Sequence, residues 1–330
     1  MEKINYQLTK EERKFLKLLK KKLKEDLYLI LDPDKSLLIV VGEDFFLTYI
    51  TENSSIDSLS QRYFFDLNSL LKVIKKAKVN EKINIEKYAI NDKAYTVPSD
   101  KEIVSHSVDK DFFESICLLC EYTKKIELFK EFNKVHWNHN CFLSSNLSSV
   151  AKYEPPFNLG DQCFMLDPTH LQMVKSYEFT KMADTISWLT FSSEQICLFI
   201  KKETPTRTTF FDNLNISYKS EKVDVDELLE RKDIQKIISE QVKKENLTNG
   251  KRQFVEAEIE NSLIIVNNQV IGTFDDELKT SISASDILPF WGHGFSWYLS
   301  DLYLIEAIPE KKIWIFQNLK SKKKEEIINE

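Results

Sequence analysis

A unit of one amphipathic helix followed by a two-strand hairpin recurs along the 330-residue chain, and its long period constrains the fold more than any single motif. Residues 10–24 place Phe15, Leu16, Leu19 and Leu23 on one helical face, and strands at 27–31 and 37–50 follow across a turn at 32–36. The pattern then restarts. Asp66 caps a helix with Leu67, Leu70, Leu71 and Ile74 as its apolar stripe, and strands at 82–90 and 93–97 follow across Asn91-Asp92. A second copy starts near Val108, with Phe112, Phe113, Ile116 and Leu119 on its first helix. In that copy Asp167 and Pro168 open a short helix through Leu171 and Val174, ahead of a hairpin of 185–191 with 196–201. A third copy starts near Val225 with a helix at 227–244 and strands at 254–260, 263–266 and 269–274. Its second helix is expected at 297–308, stopped by Pro309, and its last strand at 313–317. Starts near residues 8, 108 and 225 give a period of about 110 residues, which is the size of a domain rather than of a solenoid repeat. The expected fold class is α+β, with three tandem domains at 1–103, 104–222 and 223–330, each a duplicated helix plus antiparallel hairpin unit.

Composition narrows what such a chain can do. With 42% hydrophobic residues it can bury a core in every domain, so disorder is not the expectation. Forty-six Lys plus Arg against 52 Asp plus Glu leave a net charge of −6, which excludes wholesale electrostatic binding to nucleic acid or anionic lipid. Any such binding must come from charge gathered on one surface. The first residues lack the blocks of a signal peptide and no apolar run reaches the roughly 18 residues of a membrane span, so a cytoplasmic protein without a membrane partner is expected. Five Cys at irregular spacing read as reduced thiols rather than a disulfide framework. The six Gly form no phosphate-cradling loop, and neither a serine nucleophile elbow nor a zinc-hydrolase helix occurs. The reading is therefore of a protein that is not an enzyme and needs no cofactor.

Three consecutive domains of this construction resemble the bacterial sliding clamp, the beta subunit of the replicative DNA polymerase. The run Phe295-Ser296-Trp297-Tyr298-Leu299-Ser300-Asp301-Leu302, with Ala307-Ile308 and the strand Lys312-Ile313-Trp314-Ile315, is similar to a helix and following strand of the family's third domain. Phe210-Phe211-Asp212-Asn213 followed by Ile216 is similar to the segment that leaves its second domain. Beside the family's partner-binding pocket the run Asn146 to Ala151 keeps apolar character at Val150 and Ala151, to which the resemblance assigns partner binding. After Gln317 the charged run from Lys320 to Glu330 leaves no room for the family's last hairpin, so a trimmed third domain is expected.

A protein that encircles DNA needs basic residues on the helices facing the hole and need not be basic overall. Residues 1–98 carry 18 basic and 15 acidic side chains, so the first third is +3 and the remainder −9. Arg13, Lys17, Lys20, Lys21 and Lys24 recur at three- and four-residue steps opposite the Phe15, Leu19 and Leu23 stripe, and Lys72, Lys75 and Lys76 do so on the second helix. Lys232, Lys236 and Lys243 repeat the arrangement in the third copy. An exposed helix ordinarily has a solvated charged face, and it is the recurrence on corresponding helices that makes these residues candidates for phosphate contact.

Other patterns have plainer explanations. Cys117 and Cys120, followed by His136 and His139, have the residue types of a zinc site, but the thiols fall inside an apolar helix where buried cysteines are ordinary. Asp224 and Asp226 read as the start and cap of a helix rather than a magnesium site. Gly292-His293-Gly294 reads as a turn, and Phe15, Phe45, Phe46, Phe112, Phe113 and Phe191 as core rather than base-stacking platforms. The expected function is a clamp-like processivity factor, a head-to-tail homodimeric ring that holds duplex DNA without regard to sequence and tethers a polymerase or other replication protein. Two other readings fit the same residues: a monomeric clamp-fold adaptor for protein partners, and a metal-dependent nucleic-acid enzyme built on the Cys and His cluster.

Overall fold

In this computed structural model the described residues are 5–23, 25–76, 82–85, 89–90, 97–99, 101–123, 130–146, 149–205, 221–249, 255–275, 279–289, 291–292, 295–299, 303–308 and 312–318. The first copy opens with β1 (Asn5–Tyr6) and α1 (Lys10–Lys22). Thr9 and Glu12 close a reciprocal capping box at the start of α1: the Thr9 hydroxyl accepts from the Glu12 N–H at 3.1 Å, and the Glu12 carboxylate accepts from the Thr9 N–H at 2.7 Å. Phe15, Leu16, Leu19 and Leu23 are buried as their spacing requires. Strands β2 (Tyr28–Asp32) and β3 (Leu37–Val41) pair across a 3-10 turn that ends on Ser36 at φ 49°. The single strand expected at 37–50 is in fact two, because the chain reverses after Val41 and β4 (Phe45–Ile50) folds back so that Val41 pairs with Phe46. Gly42 makes the reversal possible: its N–H donates to the Phe45 carbonyl at 3.0 Å, and a Cβ there would run into the Phe45 ring.

After α2 (Ser54–Asp57) and β5 (Tyr63–Asp66), α3 (Leu67–Lys76) begins where expected, with the Asp66 carboxylate accepting from the Ser69 N–H at 2.7 Å. β6 (Ile83–Asn84) pairs with β1, and β7 (Ala89–Ile90) with β5. The strand expected at 93–97 lies almost wholly outside the described residues, as does the segment Phe210 to Asn213.

The second copy comprises β8 (Val104–Ser107), α4 (Lys110–Glu121), β9 (Val135–Asn138), β10 (Cys141–Ser145), β11 (Ser149–Tyr153), β12 (Phe164–Leu166), α5 (Pro168–Leu171), β13 (Lys181–Asp184), β14 (Trp188–Ser192) and β15 (Ile196–Lys201). Asp167 caps α5 by accepting from the Thr169 N–H at 2.8 Å, with Pro168 in the first turn. In the third copy β16 (Glu221–Glu227) and α6 (Arg231–Asn249) precede β17 (Glu256–Glu260), β18 (Leu263–Val266), β19 (Gln269–Phe274), β20 (Thr280–Ser283), α7 (Ala284–Ile287), β21 (Ser296–Leu299), β22 (Tyr303–Ile308) and β23 (Ile313–Asn318).

Two expectations for the third copy are corrected. Asp224 and Asp226 do not open a helix; they stand on the outer side of β16, where Val223 is buried and Lys222, Asp224 and Asp226 are exposed in strict alternation. The expected helix over 297–308 is instead the hairpin β21–β22, with Trp297 opposite Glu306 and Tyr298 opposite Ile305. Phe295 and Trp297 are buried while Ser296 and Tyr298 are half-exposed, so period two decides over helical spacing.

The chain divides into two compact units, residues 1–113 with 164–204, and 114–163 with 205–330. In the first, nine antiparallel strands run in the order β7-β5-β2-β3-β4-β15-β14-β13-β8. The seam between copies is the β4–β15 pair, where Phe46 lies opposite Phe199. Both faces of its central strands are buried: Leu29, Leu31, Leu38 and Val40 alternate with Ile30, Ile39 and Val41, which pack with Phe64. In the second unit the order is β9-β10-β11-β23-β22-β21-β16-β19-β18-β17-β20. Here β11 pairs with β23, Ala151 opposite Ile315, and β16 is shared, pairing with β21 over 221–224 and with β19 over 225–227.

Candidate nucleic-acid interface

The helices differ in the charge they expose. On α1 and α3, Lys17, Lys72, Lys75 and Lys76 are exposed. No acidic residue occurs on α3. Lys10 and Lys14 are also exposed on α1 and extend its row at i, i+4 and i+7 with Lys17, a spacing readable in the sequence. The side chains of Lys20 and Lys21, and the whole of Lys24, lie outside the described residues.

Arg13 does not stand on this face. It is 6% exposed, and its Nη1 donates to the Ile74 carbonyl at 3.1 Å, so its charge lies near the C-terminal end of α3 and ties the two helices together. Its position borders the apolar stripe, where a long side chain can bury its stem and turn its head inward.

The helix α6 is weaker. Lys232, Lys236 and Lys243 are exposed, but so are Asp233 and Glu240. Lys232 is held by Glu230 at 2.6 Å, a pairing that raises the lysine pKa and lowers that of the glutamate. The helix α4 offers no basic row. It is buried from Phe112 to Cys120 apart from half-buried Glu114, with exposed Asp111 and Glu121 near its ends, and Glu121 is ion-paired to Arg231.

At the positions assigned to partner binding, Ala151 is 1% exposed and hydrogen-bonded in register between β10 and β23, so it belongs to the core. Val150, on the opposite face of the same strand, is half-exposed.

The cysteine and histidine cluster does not converge. Cys117 and Cys120 are buried in α4, His136 Nε2 donates to the Glu131 carbonyl at 2.8 Å, and His139 is exposed in the β9–β10 turn at φ 53°. Among the described residues no group of three His, Cys, Asp or Glu is placed to hold a metal ion. Gly292 occupies a structural turn: at φ 88° its N–H donates to both Glu227 oxygens at 2.9 Å, and the neighbouring Trp291 Nε1 donates to the Leu229 carbonyl at 2.7 Å. Burial raises the Glu227 pKa, opposed by that N–H. The large aromatic side chains mostly fill core, as with Phe112, Phe113 and Phe191, whose rings lie 5.4 to 6.3 Å apart, while half-exposed Phe46 packs on Trp188.

His136 makes the second unit sensitive to pH. Burial lowers its pKa below the ordinary value of about 6.5, against the opposing pull of the Glu131 carbonyl. Between the depressed folded value and 6.5 the unfolded chain therefore holds more protons than the folded one. Stability from this residue is fully present above 6.5 and is lost as pH falls through that window. Denaturant titrations across the window should show it, and His136→Gln should flatten the slope; an unchanged slope in the variant would assign the effect elsewhere.

No family model and no curated protein matches the sequence. Solved structures match along most of its length. The DNA polymerase III beta sliding clamp of Bartonella birtlesii, bound to griselimycin, has a TM-score of 0.67 at 10% identity, covering 93% of this chain and 97% of its own. The DNA polymerase sliding clamp of Pseudomonas aeruginosa with ligand has a TM-score of 0.66 at 11% identity, over 96% and 99%. The beta clamp of Helicobacter pylori bound to a DNA ligase peptide has a TM-score of 0.65 at 11% identity, over 94% and 98%. The chain thus has the mixed helix and antiparallel-sheet architecture of the beta sliding clamp, a fold of three domains, in a divergent sequence.

Proposed function

We propose that this protein is a non-enzymatic processivity factor that encircles duplex DNA as a head-to-tail homodimer and tethers a polymerase or other replication protein. The observation that carries the reading is the clamp fold over nearly the full chain, combined with exposed lysine rows on adjacent helices α1 and α3. Lysines on a helix face can neutralise phosphates without reading bases, and such contacts permit sliding. The three domains are taken as 1–103, 104–222 and 223–330. Among the described residues, strands β7 and β20 end their respective sheets. Pairing β7 of one copy with β20 of the next would satisfy both edges and, repeated once, close a ring. Partner docking is placed at Val150, on the analogy that the Helicobacter clamp holds a ligase peptide. No helix among the described residues is long and apolar enough to cross a membrane, and the reading places the protein in the cytoplasm.

Retention on circular and linear DNA tests the mechanism. Protein assembled on a nicked circle should stay bound through gel filtration and leave once the circle is cut, with salt weakening any residual binding to short linear duplex. Equal retention on both forms would favour the monomeric adaptor, which a monomer mass by light scattering would then support.

A further inference from the structure

Within the second unit, β9 and β10 are joined by a tight turn in which the Asn140 N–H donates to the Asn138 carbonyl at 2.7 Å. Asn138 and Cys141 are direct cross-strand partners, so their side chains leave the sheet on the same face, about 5 Å apart at Cβ. Two thiols meet at this asparagine. Cys141 Sγ donates to the Asn138 carbonyl oxygen at 3.5 Å, and Cys163 Sγ donates to Asn138 Oδ1 at 3.3 Å. The Cys163 sulfur lies close enough for its charge to help raise the Cys141 thiol pKa. Both are half-exposed, and Cys163 sits outside regular structure, just after exposed Asp161 and Gln162. Cys117 and Cys120 are instead buried in a helix.

We propose that Cys141 and Cys163 form a redox-responsive dithiol, a modification site that a small-molecule disulfide such as oxidised glutathione converts into an intramolecular disulfide. Cys163, as thiolate, attacks one sulfur of the glutathione disulfide and expels one glutathione thiolate, leaving a mixed disulfide. Cys141 then gives its proton to solvent and attacks the Cys163 sulfur; the protein S–S bond forms as the second glutathione leaves. Two protein thiols lose two electrons in all, and one glutathione disulfide gains them. Burial pushes the Cys141 thiol up to about 11, with Lys152 opposing, so it is a weak attacker in solution, and proximity to the mixed disulfide is what lets it react in the second, intramolecular step. The Asn138 side chain must swing aside for the sulfurs to meet. Once closed, the bond pins the β9–β10 turn to the segment leading into β12, one strand away from β11 and Val150. This inference does not depend on the clamp reading.

Intact mass and non-reducing peptide mapping of the full chain, after incubation with glutathione disulfide at neutral pH, decide it. The unmodified chain should give a Cys141–Cys163 cross-linked peptide with no glutathione on either residue, reversed by dithiothreitol. Cys141→Ser should stop at the mixed disulfide on Cys163, and Cys163→Ser should give no cross-link and react far more slowly at Cys141. The proposal is overturned if the unmodified chain carries glutathione on both residues without a cross-link, leaves both unreacted, or cross-links either one to another cysteine.

Discussion

Reversing Lys17, Lys72 and Lys75 to Glu is expected to weaken binding to duplex DNA on the order of 100-fold or more, so that little protein assembles on circular DNA, while leaving the melting transition and solution mass of the protein unchanged. All three side chains are exposed and lie away from the buried Phe15, Leu19, Leu70 and Ile74, so the fold loses no core. Each lysine that neutralises a phosphate releases condensed counterions, contributing about 0.9 to the slope of log K against log salt. Losing three such contacts per chain at physiological salt weakens binding on the order of 100-fold, before the repulsion of the new carboxylates is added. The same reversal of Lys236 and Lys243 on α6 should do less, since Asp233 and Glu240 already offset that face. If the triple variant binds short duplex and assembles on circles as well as the parent protein does, α1 and α3 do not line the DNA path.

The second large effect is on stability. Glu12 is fully buried and accepts from four donors: Tyr6 Oη at 2.8 Å, Thr51 Oγ1 at 2.7 Å, the Thr9 N–H at 2.7 Å and Asn53 Nδ2 at 2.9 Å. Burial, reinforced by the Glu12 charge, holds the Tyr6 hydroxyl pKa far above its ordinary value, so the phenol stays a donor. One carboxylate thus fastens β1, the start of α1 and the loop after β4. Glu12→Ala strands these donors in a site closed to water, at a cost of about 3 to 5 kcal/mol. Glu12→Gln keeps the shape but turns an NH2 group toward donors, at about 2 kcal/mol. Urea midpoints should fall accordingly with little change in slope. A loss below about 1 kcal/mol for Glu12→Ala would mean that water reaches the site and replaces the carboxylate.

Much of this architecture was legible because local chemistry and long-range packing agree. The stripes of α1, α3 and α4 and the caps at Asp66 and Asp167 needed no tertiary information. The reading failed where two periodicities competed. In 295–308 the aromatic residues fit a helix nearly as well as a strand, and the choice was made by β16 and β23, which offer pairing partners on either side. Gly42 could have been recognised as the break in 37–50, being the one glycine in a strongly apolar run. Arg13 could not be placed, because the carbonyl that captures it belongs to Ile74, 61 residues away. The two thiols at Asn138 were equally hidden, since the registers that bring them together are properties of the folded chain.

The interleaving of the two units has a consequence for how the protein is made. Residues 114–163 leave the ribosome between the two segments that build the first unit, yet their own partners come from 205–330. Strand β11 must await β23, the last strand described, before its outer edge is paired. During synthesis that edge stays open while residues 154–312 are being added, and pairings this distant in sequence form slowly. Nascent chains stalled or cleaved before β23 should therefore present β11 with one open edge, inviting capture by holdase chaperones or association between chains.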